Sequence, residues 1–256
     1  FIESALGIRK MATGHYARVQ HSDGHTHLAR ALDSMRDQSY FIYGVPSWRL
    51  PYLVLPLGAL RKHEVRALAR SGGLPTAEKL DSEELCFAAE GDYRRALGLG
   101  VRQRGPILDM EGKVIGEHDG VSNFTLGQRR GLHVAVGKPV YVARICPSEN
   151  SVTVGMREHV SARYVEAMTA NILLPGRLKR GERLQGKVRS YGAPAECTLL
   201  EVSDKWLAVE FDEPQFAPTP GQHLVLYDSN GCVVAGGEIC RACMDASTKQ
   251  FVKKDA

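Results

Sequence analysis

The stretch Leu224-Val225-Leu226-Tyr227-Asp228-Ser229-Asn230-Gly231, followed by an apolar run from Val233 to Ile239, decides the fold of the C-terminal part of the chain. Asn-Gly between two runs rich in β-branched and aromatic residues is a strong signal for a β-hairpin. Short strands at similar spacing predict a small β-barrel. The further predicted strands lie at Gly186 to Ser190, Glu196 to Val202 and Trp206 to Phe211.

A second, smaller β-rich region precedes the barrel. Two apolar runs, at residues 107–110 and 113–116, flank Glu111-Gly112 and predict a hairpin. Between Gly127 and Gly131 stand a glutamine and two arginines, which predict a loop with close backbone packing and three long polar side chains. Further strands are predicted at Tyr141 to Ile145 and Ser151 to Val154.

The N-terminal region alternates strand and helix signals. We expect a strand that ends at Gly14, because glycine permits a tight turn or a close ligand approach, and a second strand after it. His15 stands where a strand meets a loop, which is a usual ligand position in open α/β sheets, although an ordinary hairpin histidine is the alternative. A hairpin tip is predicted at Asp23-Gly24. Residues 60–70 predict a basic helix that ends at glycine.

Two polar segments are candidates for chemistry. Arg36, Asp37 and Gln38 are either an exposed helix start or a set of contacts to phosphate and base edges. Cys86 stands between the acidic turn Asp81-Ser82-Glu83-Glu84 and an apolar segment, where a thiol can be partly exposed and tuned. By itself a cysteine in such a segment is more often a small buried hydrophobic residue than a reactive one.

Composition excludes several classes of protein. The chain has 256 residues and a formal charge of +4, which is compatible with a nucleic-acid partner without requiring one. It contains no apolar run of about 18 residues, so we expect no membrane partner. Six scattered cysteines suit a reduced, cytoplasmic protein. Cys240 and Cys243 form a C-x-x-C pair with no second pair to complete a zinc site, so no metal site is predicted; a structural or metal-binding β-protein is the competing hypothesis.

Seven motifs in order along the chain resemble those of the tRNA-specific 2-thiouridylases, almost end to end. Each motif alone is unspecific, whereas the ordered set is hard to explain otherwise. They are Ala12 to Arg18, Arg36 to Tyr40, Leu57-Gly58 to Arg66, Asp81-Ser82 to Cys86-Phe87, Gly116-x-His118-x-Gly120, Thr125 to Leu132 and Thr219-Pro220-Gly221-Gln222.

The resemblance implies the fold and its division. It implies an α/β remainder of a PP-loop (Rossmann-like) domain, a small β-rich central domain and a C-terminal β-barrel. The corresponding boundaries are residues 1–95, residues 96–160 and residues 161–256. Packing of helix 60–71 on the central domain is an alternative to packing within the first domain.

The resemblance also implies an activity and its residues. Enzymes of this family use ATP to activate the wobble uridine of tRNA anticodons, and a persulfide sulfur supplied by a donor protein then replaces its C2 oxygen. Cys86 matches the cysteine that carries the persulfide, and Gly14 matches a backbone contact to ATP. The matched tRNA contacts are His15, Arg36, Asp37, Gln38, Ser190, Tyr191 and Gln222.

The sequence departs from the family pattern in ways that affect the mechanism. It contains neither the PP-loop signature Ser-Gly-Gly-x-Asp-Ser nor the first catalytic cysteine of the family. We expect a fragment of a whole enzyme; the alternative is a degenerate homologue that binds tRNA without catalysis. Glu83-Glu84-Leu85 replaces small residues before Cys86, and Ser190 replaces a usual arginine, which weakens one phosphate contact.

Overall fold

The computed structural model describes residues 7–22, 24–78 and 103–244. They form two compact units, the first from residues 7–77 and 162–244, the second from residue 78 and residues 103–161. The helices are α1 (Ser39–Ile42) and α2 (Lys62–Ser71). The strands are β1 (Met11–Ala12), β2 (Ala17–Ser22), β3 (His25–Arg30), β4 (Leu53–Val54), β5 (Gly105–Leu108), β6 (Val114–His118), β7 (Tyr141–Cys146), β8 (Ser151–Gly155), β9 (Ser161–Ile172), β10 (Arg183–Lys187), β11 (Ala195–Val202), β12 (Trp206–Phe216), β13 (His223–Tyr227) and β14 (Val233–Cys243).

The N-terminal part of the first unit has the predicted α/β character. β1 pairs with β4 in parallel, with Met11 opposite Leu53. Parallel pairing is typical of sheets in α/β proteins. β2 and β3 form an antiparallel hairpin in which Ser22 lies opposite His25, so the hairpin predicted around residue 24 is confirmed.

The C-terminal part closes into a six-stranded barrel with the order β10-β11-β12-β9-β14-β13. Its hairpin turn follows from the sequence, because the Asp228 carboxylate accepts the N–H groups of Asn230 and Cys232, both at 2.9 Å. Gly231 supplies the left-handed backbone, with φ of 76°. The predicted barrel is confirmed, and β9 adds a strand to those expected. The barrel interior is apolar and includes Leu184, Leu199, Leu207, Phe211, Leu224 and Leu226.

Strand β13 is buried on both faces. Leu224 and Leu226 point into the barrel core. Val225 and Tyr227 belong to a second core that also contains Leu28 and other side chains of the N-terminal part. Because successive side chains of a strand alternate between faces, one strand serves both cores. The N-terminal part therefore packs against one face of β13, and the other face of the same strand belongs to the barrel core.

Helix α2 confirms the basic helix predicted at residues 60–70. Its first turn is closed by the Glu64 carboxylate, which accepts the Arg61 N–H at 2.6 Å, and by Asp33, which accepts the Lys62 N–H at 2.9 Å. The helix ends before Gly73, whose φ is 66°. No residue of α2 is buried.

The second unit is built on a four-stranded sheet with the order β6-β5-β8-β7. The predicted hairpin is confirmed: β5 and β6 pair antiparallel, and Asp109 holds their turn by accepting the N–H groups of Glu111 and Lys113. Ile107, Val142 and Val152 form the centre of its apolar core. The division of the chain at residues 95 and 160 stays a prediction.

Cys197, inside the barrel, is expected to make the stability of the fold decrease as the pH rises through the alkaline range. Burial raises the pKa of its thiol from 9.0 to about 12. The unfolded thiol therefore ionises first, and its contribution to stability, complete below pH 9, is lost as the pH rises from 9 to about 12. Over this window the unfolding free energy of the wild type should fall with pH more steeply than that of Cys197→Ala. The difference in slope is expected to reach about 1.4 kcal/mol per pH unit. Urea unfolding at several pH values measures this slope. Leu199→Ala opens the same core without removing an ionisable group, so an equally shallow slope for that variant would refute the assignment.

Candidate functional site

The predicted site residues that the structure describes all belong to the first unit, whereas Cys86 lies outside the described residues. Gly14 and His15 follow β1. The triplet of residues 36–38 precedes α1, the Ser190–Tyr191 pair follows β10, and Gln222 precedes β13.

Gly14 lies just past the carboxyl end of β1, in an exposed segment. The N–H of Thr13 donates to the Val54 carbonyl, which extends the parallel pairing to this point. A Cβ at Gly14 would meet only Leu57 Cδ1, at 3.7 Å, so the fold itself does not require glycine here. His15 is exposed, and its Nδ1 lies 2.9 Å from the Thr13 hydroxyl oxygen. The segment is open to a ligand at the sheet edge where α/β proteins bind them.

Asp37 is an internal anchor and not an exposed polar residue. Its side chain is 1% exposed and forms an ion pair with Arg30 at 3.2 Å. Its other oxygen accepts the N–H groups of Ala31 and Ser39, both at 3.1 Å. The carboxylate thereby connects the end of β3 to the start of α1. The interpretation of the triplet as an exposed helix start is therefore wrong for Asp37.

Gln38 also uses its side chain internally. Its Oε1 accepts the Tyr16 N–H at 2.9 Å, and its own N–H donates to the Tyr16 carbonyl at 2.7 Å. These two bonds connect the triplet to the segment that carries His15. Arg36 is the exposed member of the triplet.

Helix α1 and Tyr43, the residue that follows it, are connected to barrel strand β13 by the hydroxyl groups of Ser39, Tyr40 and Tyr43. The Tyr40 hydroxyl donates to the His223 carbonyl at 2.9 Å and accepts its N–H at 3.1 Å. Tyr43 places its hydroxyl 2.8 Å from His223 Nδ1, and the hydroxyls of Ser39 and Tyr227 are 3.2 Å apart. Burial raises the pKa of both Tyr40 and Tyr43 above the ordinary value of 10.0.

Lys187 connects this anchor to the Ser190–Tyr191 loop. It is 5% exposed, and its Nζ donates to the Ser190 carbonyl at 2.8 Å. The same Nζ lies 6.0 Å from the centre of the Tyr40 ring. Burial lowers the pKa of Lys187, and the Asp37 charge opposes that shift. A buried cation therefore holds a loop whose Tyr191 is 92% exposed.

Arg189 connects the same loop to the one that carries Gln222. Its guanidinium donates twice to the Ala217 carbonyl, at 3.1 and 2.7 Å, and lies over the Phe216 ring. The Gln222 N–H donates to the Thr219 carbonyl at 2.9 Å. Gln222 Oε1 is buried with no hydrogen-bonding partner among the described residues. The structure thus brings the loops of residues 188–191 and 217–222 together beside α1.

Sequence reasoning missed the residues that position these loops. Tyr40 is part of a motif already singled out, but Lys187, Arg189 and His223 are not. Lys187 stands at a polar position of the alternating stretch from Arg183 to Arg189, which predicts a solvent-facing side chain, although the structure buries residues 186–188. No local signal in the sequence therefore marks it. Its partners come from distant parts of the chain, so the sequence could not identify them.

Cys232 and Cys240 do not resemble nucleophiles. Burial raises the pKa of Cys232 and Cys240, which is opposite to the shift that activates a thiol. Within the described part of the chain no group of three or more potential His, Cys, Asp or Glu ligands could hold a metal ion. The described cysteines are all free: Cys146, Cys197, Cys232, Cys240 and Cys243.

Three family models match the chain in succession. A tRNA methyl transferase HUP domain model matches residues 1–90, a tRNA methyl transferase PRC-barrel domain model matches residues 98–156, and an aminomethyltransferase beta-barrel domain model matches residues 167–239. A tRNA-specific 2-thiouridylase MnmA of Moorella thermoacetica is 42% identical over 240 residues, covering 92% of this chain and 67% of the relative. The chain belongs to the tRNA-specific 2-thiouridylase family.

Other members of the tRNA-specific 2-thiouridylase family are similar over the same extent. The protein of that name from Koribacter versatilis is 38% identical and that from Symbiobacterium thermophilum is 39% identical, with 92% and 94% of this chain covered. The chain spans 66% and 64% of the length of these two curated relatives. No helix in the described part of the chain is both long and apolar enough to cross a membrane.

Proposed function

We propose that this chain takes part in tRNA 2-thiolation, the ATP-dependent transfer of persulfide sulfur to the wobble uridine of tRNA anticodons. The observation that carries the proposal is the anchor between α1 and the barrel, in a chain of the 2-thiouridylase family. This anchor supports the exposed Tyr191 and the Gln222 loop beside the segment that follows Arg36. Loops that buried contacts hold in place can bind RNA with a smaller loss of conformational entropy, because they are already ordered.

The proposed chemistry has balanced steps. ATP activates the uridine C2 oxygen with release of pyrophosphate. The terminal sulfur of a persulfide on Cys86 attacks C2, and the C–O bond breaks as AMP leaves with the oxygen. A second thiol then attacks the Cys86 sulfur, which forms a disulfide and releases the thiocarbonyl. The family resemblance assigns that thiol to a cysteine absent from this sequence.

The ATP contact proposed at Gly14 is compatible with its surroundings. The residue is exposed at the carboxyl end of a parallel strand, and the space above its Cα is open apart from Leu57. A phosphate or ribose could therefore approach the backbone closely. We place the reaction in the cytoplasm, where free cysteines such as the five described here persist. A persulfide donor protein would reload Cys86 after cellular thiols reduce the disulfide.

Replacement of Cys86 by serine in the full-length protein tests this proposal. Serine cannot carry a persulfide, so 2-thiouridine in treated tRNA is expected to fall to background while tRNA affinity is unchanged. Mass spectrometry of digested tRNA and filter binding measure the two quantities. Cys240→Ser is the matched control, because it removes a half-buried thiol whose Sγ contacts the Glu166 carbonyl.

The outcomes separate the two candidate functions. Thiolation that survives Cys86→Ser excludes Cys86 as the sulfur carrier. Wild-type protein that binds tRNA but forms no 2-thiouridine with ATP and a persulfide donor supports the alternative, a catalytically incomplete tRNA-binding homologue or fragment. Wild-type protein that does not bind tRNA refutes both.

A further inference from the structure

The loop that precedes β7 in the second unit carries a concentration of positive charge. From Gly120 to Ser148 the sequence contains no aspartate or glutamate. Within this stretch Arg129, Arg130 and Lys138 are all exposed. We call residues 128–138 the basic loop.

The basic loop has a defined shape. Gly127 donates its N–H to the Val142 carbonyl at 2.8 Å, and Val142 donates back to the Gln128 carbonyl at 2.9 Å, so the start of the loop continues the sheet. The Gln128 side chain accepts the Thr125 N–H and donates to the Arg130 carbonyl. Leu132 is 4% exposed in the core of the unit. Buried and hydrogen-bonded groups therefore fix the backbone from which the cations project.

The loop also encloses an open cleft of about 410 Å³. Arg129, His133 and Lys138 line it together with neighbouring apolar residues, and none of the lining residues that the structure describes is acidic. His133 has φ of 52°, a left-handed conformation that is uncommon for residues other than glycine. Such local strain persists where the surrounding structure imposes it, and it is concentrated at functional sites.

The charges of the basic loop are not neutralised by the described residues. Ion pairs elsewhere occupy exposed arginines, such as Arg104 with Asp119 and Arg183 with Asp212. Arg129, Arg130 and Lys138 take part in no ion pair within residues 7–22, 24–78 and 103–244. The loop therefore presents three cations on an ordered backbone, and its own sequence contains no acidic residue.

We propose that the basic loop binds the phosphodiester backbone of tRNA, an inference that rests on the proposed function. Lysine and arginine side chains spaced along an open cleft match a series of phosphates, and arginine can contact a phosphate through two N–H groups. Binding of this kind does not select a sequence and weakens steeply with salt, because each contact releases counterions. A contact of this kind holds the tRNA backbone and does not read its bases.

The test removes the three charges in the full-length protein and measures tRNA binding against salt concentration. For Arg129→Ala/Arg130→Ala/Lys138→Ala, the slope of log K against log salt is expected to become shallower by about 2–3, because each phosphate contact contributes about 0.7–0.9. The double variant Arg129→Lys/Arg130→Lys keeps the charges and should keep most of the slope. All three side chains are exposed, so the thermal midpoint should not change, and the lysine variant gives a readout independent of folding.

A matched control removes the same charge elsewhere. Lys113→Ala/Lys179→Ala/Lys205→Ala changes three exposed lysines, one at the β5–β6 turn and two at the barrel end where β10 and β12 begin. That end is opposite to the one carrying Ser190 and Gln222. The control should keep the wild-type slope.

Several outcomes would overturn the inference. An unchanged slope of log K against log salt in the basic-loop variant, or an equal change in the control, would show that the loop does not bind tRNA phosphates. The proposed function would still stand if the wild-type protein binds tRNA. Unchanged tRNA binding with slower sulfur loading from the donor protein would assign the loop to an acidic protein instead. Displacement of tRNA from the wild type by inorganic phosphate at matched ionic strength, absent in the variant, would assign it to a small phosphate ligand. A wild-type protein that does not bind tRNA at all would refute the proposed function itself.

Discussion

Asp37→Ala is expected to lower the free energy of unfolding by about 3–5 kcal/mol, because it removes one partner of a buried ion pair. The carboxylate is 1% exposed and Arg30 is 23% exposed, so the arginine would keep a charge that water reaches poorly. Two backbone N–H groups, of Ala31 and Ser39, would lose their acceptor at the same time. Urea unfolding of the purified protein measures the loss.

Two variants separate the contributions at Asp37. Asp37→Asn keeps an oxygen for the N–H groups but not the charge, so its loss should be smaller than that of the alanine variant. Asp212→Ala removes a carboxylate whose partner, Arg183, is exposed, and it should hardly change the unfolding midpoint because water screens the pair. Equal losses at positions 37 and 212 would contradict the importance of burial.

The Asp37→Ala variant also tests how Asp37 contributes to tRNA binding. If its role is to position α1, Asp37→Ala at low temperature, where the protein stays folded, should weaken tRNA binding without changing the salt slope. Arg36 is exposed next to it, and Arg36→Ala should instead make the slope shallower by about 0.7–0.9 for a lost phosphate contact. A shallower salt slope in both variants would indicate that Asp37 also affects the number of contacts to RNA phosphates.

Gly58→Ala is expected to destabilise the first unit by about 3 kcal/mol or more, at the upper end of the range for overpacking. A Cβ at this position would overlap the Ala17 carbonyl, which belongs to the backbone and cannot rotate away. Ala17 is fully buried at the start of β2, and the Gly58 carbonyl accepts the Leu32 N–H at 2.9 Å. Relief of the overlap would therefore displace both β2 and the segment after β3.

Gly14→Ala is the matched control for Gly58→Ala. The added methyl would meet only Leu57 Cδ1 at 3.7 Å, so stability should change little. In the full-length enzyme, however, this variant should weaken ATP binding if the backbone contact proposed at Gly14 is correct. A loss of stability at Gly14 comparable to that at Gly58 would contradict the steric explanation. Thermal unfolding of both variants, with and without ATP, measures the two effects.

Much of the fold follows from local sequence signals. The Asp228-to-Gly231 turn, the hairpin around Gly112 and helix α2 rest on turn residues, helix caps and periodicity, all of which act within a few positions of the chain. These elements were predicted, and the structure confirms them. The family resemblance also came from the sequence, because it depends on the order of motifs and not on their contacts.

The role of the Arg36–Gln38 triplet could not be derived in that way. A polar triplet before an apolar segment is typical of an exposed helix start, and nothing local indicates that Asp37 is buried against Arg30. The same limit applies to Lys187, whose position next to Tyr40 depends on strand β10 returning to α1 after more than a hundred residues of chain.

The sequence by itself determined the α/β-then-β order, the barrel and the family, because hydrophobic periodicity and turn chemistry are local. Only the tertiary structure decided which polar residues serve the fold and which remain available to a ligand. Burial is a property of the folded chain, since a carboxylate is hidden only when distant segments close over it. Asp37 and Lys187 became internal anchors by that closure, and Tyr191 and the basic loop stayed exposed.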